Sequence, residues 1–188
     1  SFIMVGTPAG VNLSPEGAQH GWKSDIQIPN QITWEPYFCQ ELDWILADSI
    51  RRHVLNDNEG RTGVHIRTVT RGAEQKDLMK YLKMQARFKS QDLTLSHSDY
   101  PLADGTPENQ IEAISDEEIY SSLKQDVLKG AYYLINYENY AGYTPGDNVV
   151  NIFAMGAPTT EAIKASNMLL QKGIYANVIV VTSSDLLC

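Results

Sequence analysis

Val149-Val150-Asn151-Ile152-Phe153-Ala154, then Thr160 to Lys172, then Gly173, then Ala176-Asn177-Val178-Ile179-Val180-Val181-Thr182 is the run that decides the fold. Two short apolar runs flank a longer segment with helical spacing that closes on glycine. The pattern predicts a strand over 148–154, a helix over 160–172 and a strand over 176–182. A strand, a helix and a strand at these lengths imply a parallel pair with a right-handed crossover. The chain therefore reads as α/β.

Upstream, Ser115-Asp116-Glu117-Glu118 is a capping box that opens a helix with Ile119, Leu123 and Val127 as its apolar stripe. Gly130 suits the residue just past its end, and a strand over 131–137 follows. Residues 138–147 are a Tyr- and Gly-rich loop. Further back, residues 31–34 predict a short strand. Pro36 sits at the start of a helix over 37–55, with Phe38, Leu42, Ile45, Leu46, Ile50 and Val54 as its inward spacing. Asn56 to Gly60 makes a turn, 63–70 a strand, and 75–86 a helix with Leu78, Met79 and Leu82 inward. Residues 88–114 carry turn chemistry at Tyr100-Pro101 and Asp104-Gly105-Thr106-Pro107 and read as a linker or excursion.

Residues 2–5 read as a buried strand with no lead-in, followed by a loop rich in Gly and Pro. At the other end Ser183-Ser184-Asp185-Leu186-Leu187 looks like a helix cap and first turn. The expectation is the back of one α/β unit joined to the front of another, cut from a longer polypeptide.

Of 188 residues, 15 are Lys or Arg and 23 are Asp or Glu, a formal net charge of −8. A pI near 4.9 argues against a general nucleic-acid binder, which carries a basic stripe. No run reaches the ~18 apolar residues of a membrane span. Ser1-Phe2-Ile3-Met4-Val5-Gly6 lacks the basic start of a signal peptide. Cys39 and Cys188 make no disulfide framework, so the cytoplasm is the expected compartment.

The local chemistry is sparse. There is no glycine-rich phosphate loop and no Gly-x-Ser-x-Gly elbow. His20, His53, His65 and His97 lie far apart, without metal-ligand spacing. Arg51-Arg52-His53 complements a helix C-terminus, and His65 falls mid-strand as a packed residue. Cys39 falls in a first helical turn, where a thiol is acidified, although a structural role is the plainer reading. Tyr132, Tyr133, Tyr137, Tyr140 and Tyr143 suit either core and interface filling or an aromatic binding face. His20 differs. It lies in a punctuated loop after a strand, where parallel sheets place ligand chemistry, among Glu16, Gln19, Trp22, Lys23, Ser24 and Asp25.

At this loop the chain resembles the transketolase superfamily, and most of all the homodimeric decarboxylating component of pyruvate dehydrogenase (acetyl-transferring). That family carries Gly-Glu-Gly-x-Gln-His, then Ile-Pro-Asn, then an acidic residue and Pro. Here stand Pro15-Glu16-Gly17-Ala18-Gln19-His20, Ile28-Pro29-Asn30 and Glu35-Pro36. Gly130 to Leu134 and Val149 to Leu187 resemble the family's C-terminal domain. Transketolases proper have Glu-Asp-Gly-Pro-Thr-His at the loop. Glu16 and Gln19 thus point away from sugar phosphates and toward a 2-oxo acid. The pyruvate enzymes continue with Glu-Asp-Gly-His-Ser, and this chain reads Gly21-Trp22-Lys23-Ser24-Asp25.

The resemblance implies the C-terminal part of a pyrimidine-binding domain over 1–90, a linker and connecting helix over 91–129, and the first part of a transketolase C-terminal-like domain over 130–188. Each belongs to a three-layer unit with a largely parallel sheet. It implies thiamine diphosphate and Mg²⁺ in the parent enzyme, whose ylid attacks the 2-oxo carbon. CO₂ leaves, and the acyl group passes to a lipoyl arm. His20 becomes the catalytic residue facing the substrate, and Glu16 and Gln19 substrate-binding or loop-positioning residues. The partners implied are a second subunit in a homodimer and a dihydrolipoyl acyltransferase core. The main cofactor motifs, Gly-Asp-Gly with Asn-Asn and the ring-activating glutamate, are not in this sequence. Two alternatives stand beside this reading: a transketolase-like transferase of other specificity, and a non-catalytic α/β interaction module.

Overall fold

The computed structural model describes residues 2–6, 30–55, 63–69, 73–90 and 113–187. The first sheet contains β1 (Phe2–Gly6), β2 (Gln31–Trp34) and β3 (Gly63–Arg67) in the order β1-β3-β2, all parallel. Helix α1 (Cys39–Leu55) connects β2 to β3. Helix α2 (Gln75–Met84) follows β3 and leads into a 3₁₀ turn over Ala86–Phe88. The chain leaves at Ser90 and returns at Ala113, which pairs with Lys89, while Ile114 N–H donates to the Phe88 carbonyl at 3.0 Å. Most of the predicted 88–114 excursion lies outside the described residues.

Helix α3 (Asp116–Lys129) has the expected reciprocal cap: Ser115 Oγ accepts from Glu118 N–H, and the Glu118 carboxylate accepts from Ser115 N–H. The second sheet contains β4 (Ala131–Ile135), β5 (Val149–Ala154) and β6 (Tyr175–Val181) in the order β4-β6-β5. β5 and β6 are parallel and joined through α4 (Thr159–Leu170), as the opening run requires. β4 lies antiparallel to β6, so the second sheet is mixed. Its register shifts between Tyr133 and Ile135. The Gln85 side chain, fully buried, donates to the carbonyls of Tyr133 and Leu134 at 2.8 and 3.0 Å, so these acceptors are satisfied at the irregularity.

Two details of α1 depart from its sequence pattern. Pro36 predicts a start at 37, and the helix begins at Cys39, with the N–H groups of Tyr37 and Phe38 ahead of it capped by the Glu41 side chain. The apolar spacing also predicts Ile50 and Val54 inward, and they are 48% and 72% exposed. The buried face is instead Glu41, Trp44, Ile45 and Ser49. Three bonds to Glu41 fix the rotation, Trp44 meets Tyr120 of α3 edge-on at 5.8 Å, and Ser49 Oγ returns to the Ile45 carbonyl at 2.6 Å. The predicted cap at Ser183 becomes a single 3₁₀ turn, Ser184–Leu186, with no side-chain cap bond.

One cluster of buried side chains runs through both sheets, from Ile32, Trp34 and Ile66 to Leu134, Val178 and Val180. Tyr137, Tyr140, Tyr143 and Tyr175 form edge-to-face contacts at 5.5–5.6 Å. Tyr140 Oη donates to the Met84 carbonyl at 3.0 Å, and Tyr137 Oη bonds Ser166 Oγ at 3.2 Å. Tyr132, Tyr137 and Tyr140 are thus core residues, while Tyr133 is 38% exposed.

Gly130 ends α3 at φ 109°. Its carbonyl accepts from Thr182 and Ser183 N–H at 2.8 and 3.0 Å, and a Cβ there would meet the Ser183 carbonyl oxygen at 2.7 Å. Gly130→Ala should cost about 1–3 kcal/mol of stability through strain at this angle and the close approach. Urea unfolding checks this, with the midpoint lowered and the slope unchanged.

Candidate functional site

The ends of the first sheet's strands lie level. Gly6 pairs with Arg67 and Trp34 with Ile66, so Gly6, Arg67 and Glu35 together form the carboxyl edge. Open parallel sheets bind ligands outside this edge. The segment that carries Glu16, Gln19 and His20 follows Gly6 in sequence. All three residues lie outside the described residues.

What the structure does bring together at the edge is Glu35 and Arg67. They form an ion pair, with side chains 8% and 18% exposed. A charge pair this enclosed is sensitive to the loss of either member, because the survivor stays buried and unpaired. β2 is also an edge strand, and the outward N–H of Thr33 and that of Glu35 just after the strand are covered. Thr33 N–H donates to the Asp185 carboxylate at 2.7 Å, and Glu35 N–H donates to the Thr182 carbonyl at 2.8 Å. The chain beyond β6 thereby closes the edge and ties the end of one sheet to the end of the other.

Next to this edge Glu41 is fully buried. Its carboxylate accepts from Tyr37 N–H at 2.5 Å, from Phe38 N–H at 3.2 Å and from the hydroxyl of Tyr132 on β4. Burial pushes the carboxyl from 4.5 up to about 7, against the pull of these three donors. Tyr132 is held well above its ordinary range by its own burial and by the neighbouring Glu41 charge. Full enclosure gives this carboxylate a joining role between α1 and β4 and leaves it without substrate access.

The other candidates divide cleanly. His65 is buried in β3, in register with Met4 and Thr33, as a packed residue should be. Arg51 and Arg52 bond Asp48 at 3.0 and 2.6 Å, at the end of α1 where positive charge complements the helix dipole. Cys39 is exposed at the first residue of α1, so the structural reading of its thiol does not hold. The Glu35–Arg67 pair and Glu41 were not singled out from sequence. Glu41 had a signal, a glutamate in the first turn of a helix that begins after Pro36, where a carboxylate reaches back to free N–H groups. Arg67 had none, since its partner lies on a different strand.

Among the described residues, no three His, Cys, Asp or Glu side chains are grouped as a metal needs. No described helix is long and apolar enough to cross a membrane.

No family model and no curated protein matches the chain. Among solved structures, transketolase of Pichia stipitis in complex with sedoheptulose 7-phosphate aligns at a TM-score of 0.43 and 14% identity, over 84% of this chain and 15% of that one. A mutant of the same enzyme in complex with fructose 6-phosphate gives the same values. A further mutant gives 0.41 and 13%. The chain thus spans about 15% of the length of these structures. At that level of likeness the architecture rests on the chain's own strand pairing.

Because the folded-state value of Glu41 lies above its unfolded value, the folded state binds more protons between pH 4.5 and 7. The stability Glu41 contributes is complete below about 4.5 and is lost as pH rises through about 7. Unfolding free energies from urea titrations at pH 5 and pH 8 should therefore differ more in the native chain than in Glu41→Gln, by about 2–3 kcal/mol. An equal difference in both would assign the pH dependence elsewhere.

Proposed function

We propose that this chain is part of a thiamine-diphosphate-dependent enzyme that decarboxylates a 2-oxo acid, of the pyruvate dehydrogenase type, with His20 as its substrate-facing residue. The observation that carries the reading is the run Pro15-Glu16-Gly17-Ala18-Gln19-His20, followed by Ile28-Pro29-Asn30, in the sequence between β1 and β2, with Glu35-Pro36 just after β2. A histidine in such a segment hydrogen-bonds the substrate carboxylate or carbonyl oxygen and offsets charge that builds there during bond breaking. It also holds or moves a proton near neutral pH. Glu16 and Gln19 orient the segment or the substrate. Glu16 stands where transketolases carry the aspartate of their sugar-reading loop, which favours a 2-oxo acid over a ketose phosphate.

The sequence lacks the Gly-Asp-Gly and Asn-Asn elements that would hold the diphosphate and Mg²⁺ in the family it resembles. In this reading the chain contributes a site wall, and diphosphate and metal are held by other parts of the enzyme, including a second subunit. In this reading the acceptor would be the lipoyl arm of an acyltransferase core, and the compartment would be the cytoplasm. Residues 1–90 belong to a pyrimidine-binding domain and residues 130–188 to a C-terminal domain, with 91–129 between them.

In the polypeptide that carries this chain, His20→Ala should lower release of CO₂ from 1-¹⁴C-pyruvate by about 100-fold or more, as loss of one charge-stabilising donor does. Its unfolding midpoint should match the native protein's. An unaltered rate would remove His20 from the site.

A further inference from the structure

A second place on the molecule has the features of a binding site. A cavity of about 330 Å³ opens where α1, α2 and α4 begin. Tyr37 and Phe38 precede α1, Ala73 and Glu74 precede α2, and Thr160 lies in the first turn of α4. These positions follow the carboxyl ends of β2, β3 and β5, so the cavity draws on both sheets. Glu35, Arg67 and Glu41 do not line it.

Its floor is aromatic and apolar, from Tyr37, Phe38, Tyr81 and Ile163. Two polar pairs are built into it. Tyr37 Oη bonds Thr160 Oγ1 at 2.6 Å, and the Asn167 side chain bonds Tyr81. Asn167 is 8% exposed, and its Oδ1 is buried with no hydrogen-bond partner in the protein. An acceptor left in that state costs stability unless a donor reaches it. The rim carries both signs of charge. Glu74 just ahead of α2 pairs with Lys76 at 3.7 Å, Asp77 and Lys80 lie on α2, and Lys164 on α4 pairs with Glu161 at 3.3 Å. The openings of α2 and α4 add partial positive charge on their own sides, and neither N-cap is made by a side chain.

We infer that this cavity binds a free amino acid with an apolar or aromatic side chain. Its ammonium group is placed between Asp77 and the Asn167 oxygen, its carboxylate faces Lys164 and the start of α4, and its side chain lies on the Tyr37–Phe38–Tyr81 floor. The volume is near the lower end of the ~300–1,000 Å³ of small-molecule sites and suits a molecule of that size. The charges decide the class. Glu74, Asp77 and Lys80 stand together on one wall, and Lys164 on the other is held by Glu161 at 3.3 Å, so neither a polyanion such as a nucleotide phosphate nor a simple cation meets a patch of single opposite sign. A zwitterion meets each sign with its opposite. The unmet Asn167 acceptor suits a ligand that brings an N–H or O–H donor, and an ammonium group supplies one.

Isothermal titration into the polypeptide that carries this chain tests the assignment, with L-phenylalanine, N-acetyl-L-phenylalanine, L-phenylalaninamide and inorganic phosphate as probes. L-Phenylalanine should bind one to one with a Kd of about 1 mM or tighter. The acetylated and amidated forms each lack one charge and should bind about 10-fold more weakly or worse. Lys164→Glu, at an exposed rim position, should weaken L-phenylalanine by a similar factor while leaving the fold and the decarboxylation rate unchanged. Asn167→Leu should do the same to binding, and its unfolding midpoint reports whether the interior tolerated the change. The inference is overturned by no saturable heat from L-phenylalanine up to about 10 mM, by equal affinity for its two blocked forms, by tighter binding of phosphate, or by an unchanged Kd in Lys164→Glu. None of these outcomes depends on turnover, so they leave the 2-oxo acid reading to its own test.

Discussion

The arrangement of the molecule depends on one buried carboxylate. Glu41 is placed by α1, yet its partners come from two places: the two backbone N–H groups ahead of that helix and the hydroxyl of Tyr132 on β4. A carboxylate so enclosed has to keep all its donors, since an unpaired buried charge costs several kcal/mol. The three bonds therefore fix where α1 starts, how it is rotated, and where β4 lies against it. Trp44 then meets Tyr120, and the single apolar cluster follows from Ile45 and Trp44 through to Leu134.

A second constraint works at the free edge of β2. Alternate N–H groups of an edge strand point outward and invite pairing with another chain. Here they are met by the Asp185 carboxylate and the Thr182 carbonyl, from the segment that follows β6. The end of the second sheet is thereby fastened to the carboxyl edge of the first. That edge carries the Glu35–Arg67 pair and lies directly after the strand from which the His20 segment departs. The same geometry brings the start of α4 beside the starts of α1 and α2, which is what creates the cavity. One docking thus accounts for both the covered edge with its Glu35–Arg67 pair and the cavity.

Elements governed by local chemistry were legible in the sequence. The Ser115–Glu118 box, Gly130 past the end of α3, and the strand–helix–strand run from Val149 to Val181 all carry their instructions within a few residues of themselves. Features set by distant partners were not. Ile50 and Val54 have the spacing of an inward stripe, but the bond from Glu41 to Tyr132 turns them to the surface. The antiparallel direction of β4 depends on β6, and Arg67 acquires its meaning only from Glu35 on another strand. The candidate site shows the reverse balance. Glu16, Gln19 and His20 are singled out by their sequence pattern, and the described structure supplies the edge they follow.

The proposed function has the edge after β1 serve a 2-oxo acid. Its most direct test is a side-by-side turnover measurement on the polypeptide that carries this chain, supplied with thiamine diphosphate and Mg²⁺, offering pyruvate in one vessel and xylulose 5-phosphate with ribose 5-phosphate in the other. Release of CO₂ from pyruvate and no consumption of the ketose phosphate are expected. Transfer from the ketose phosphate with pyruvate untouched would contradict it and make the protein a sugar-phosphate transferase.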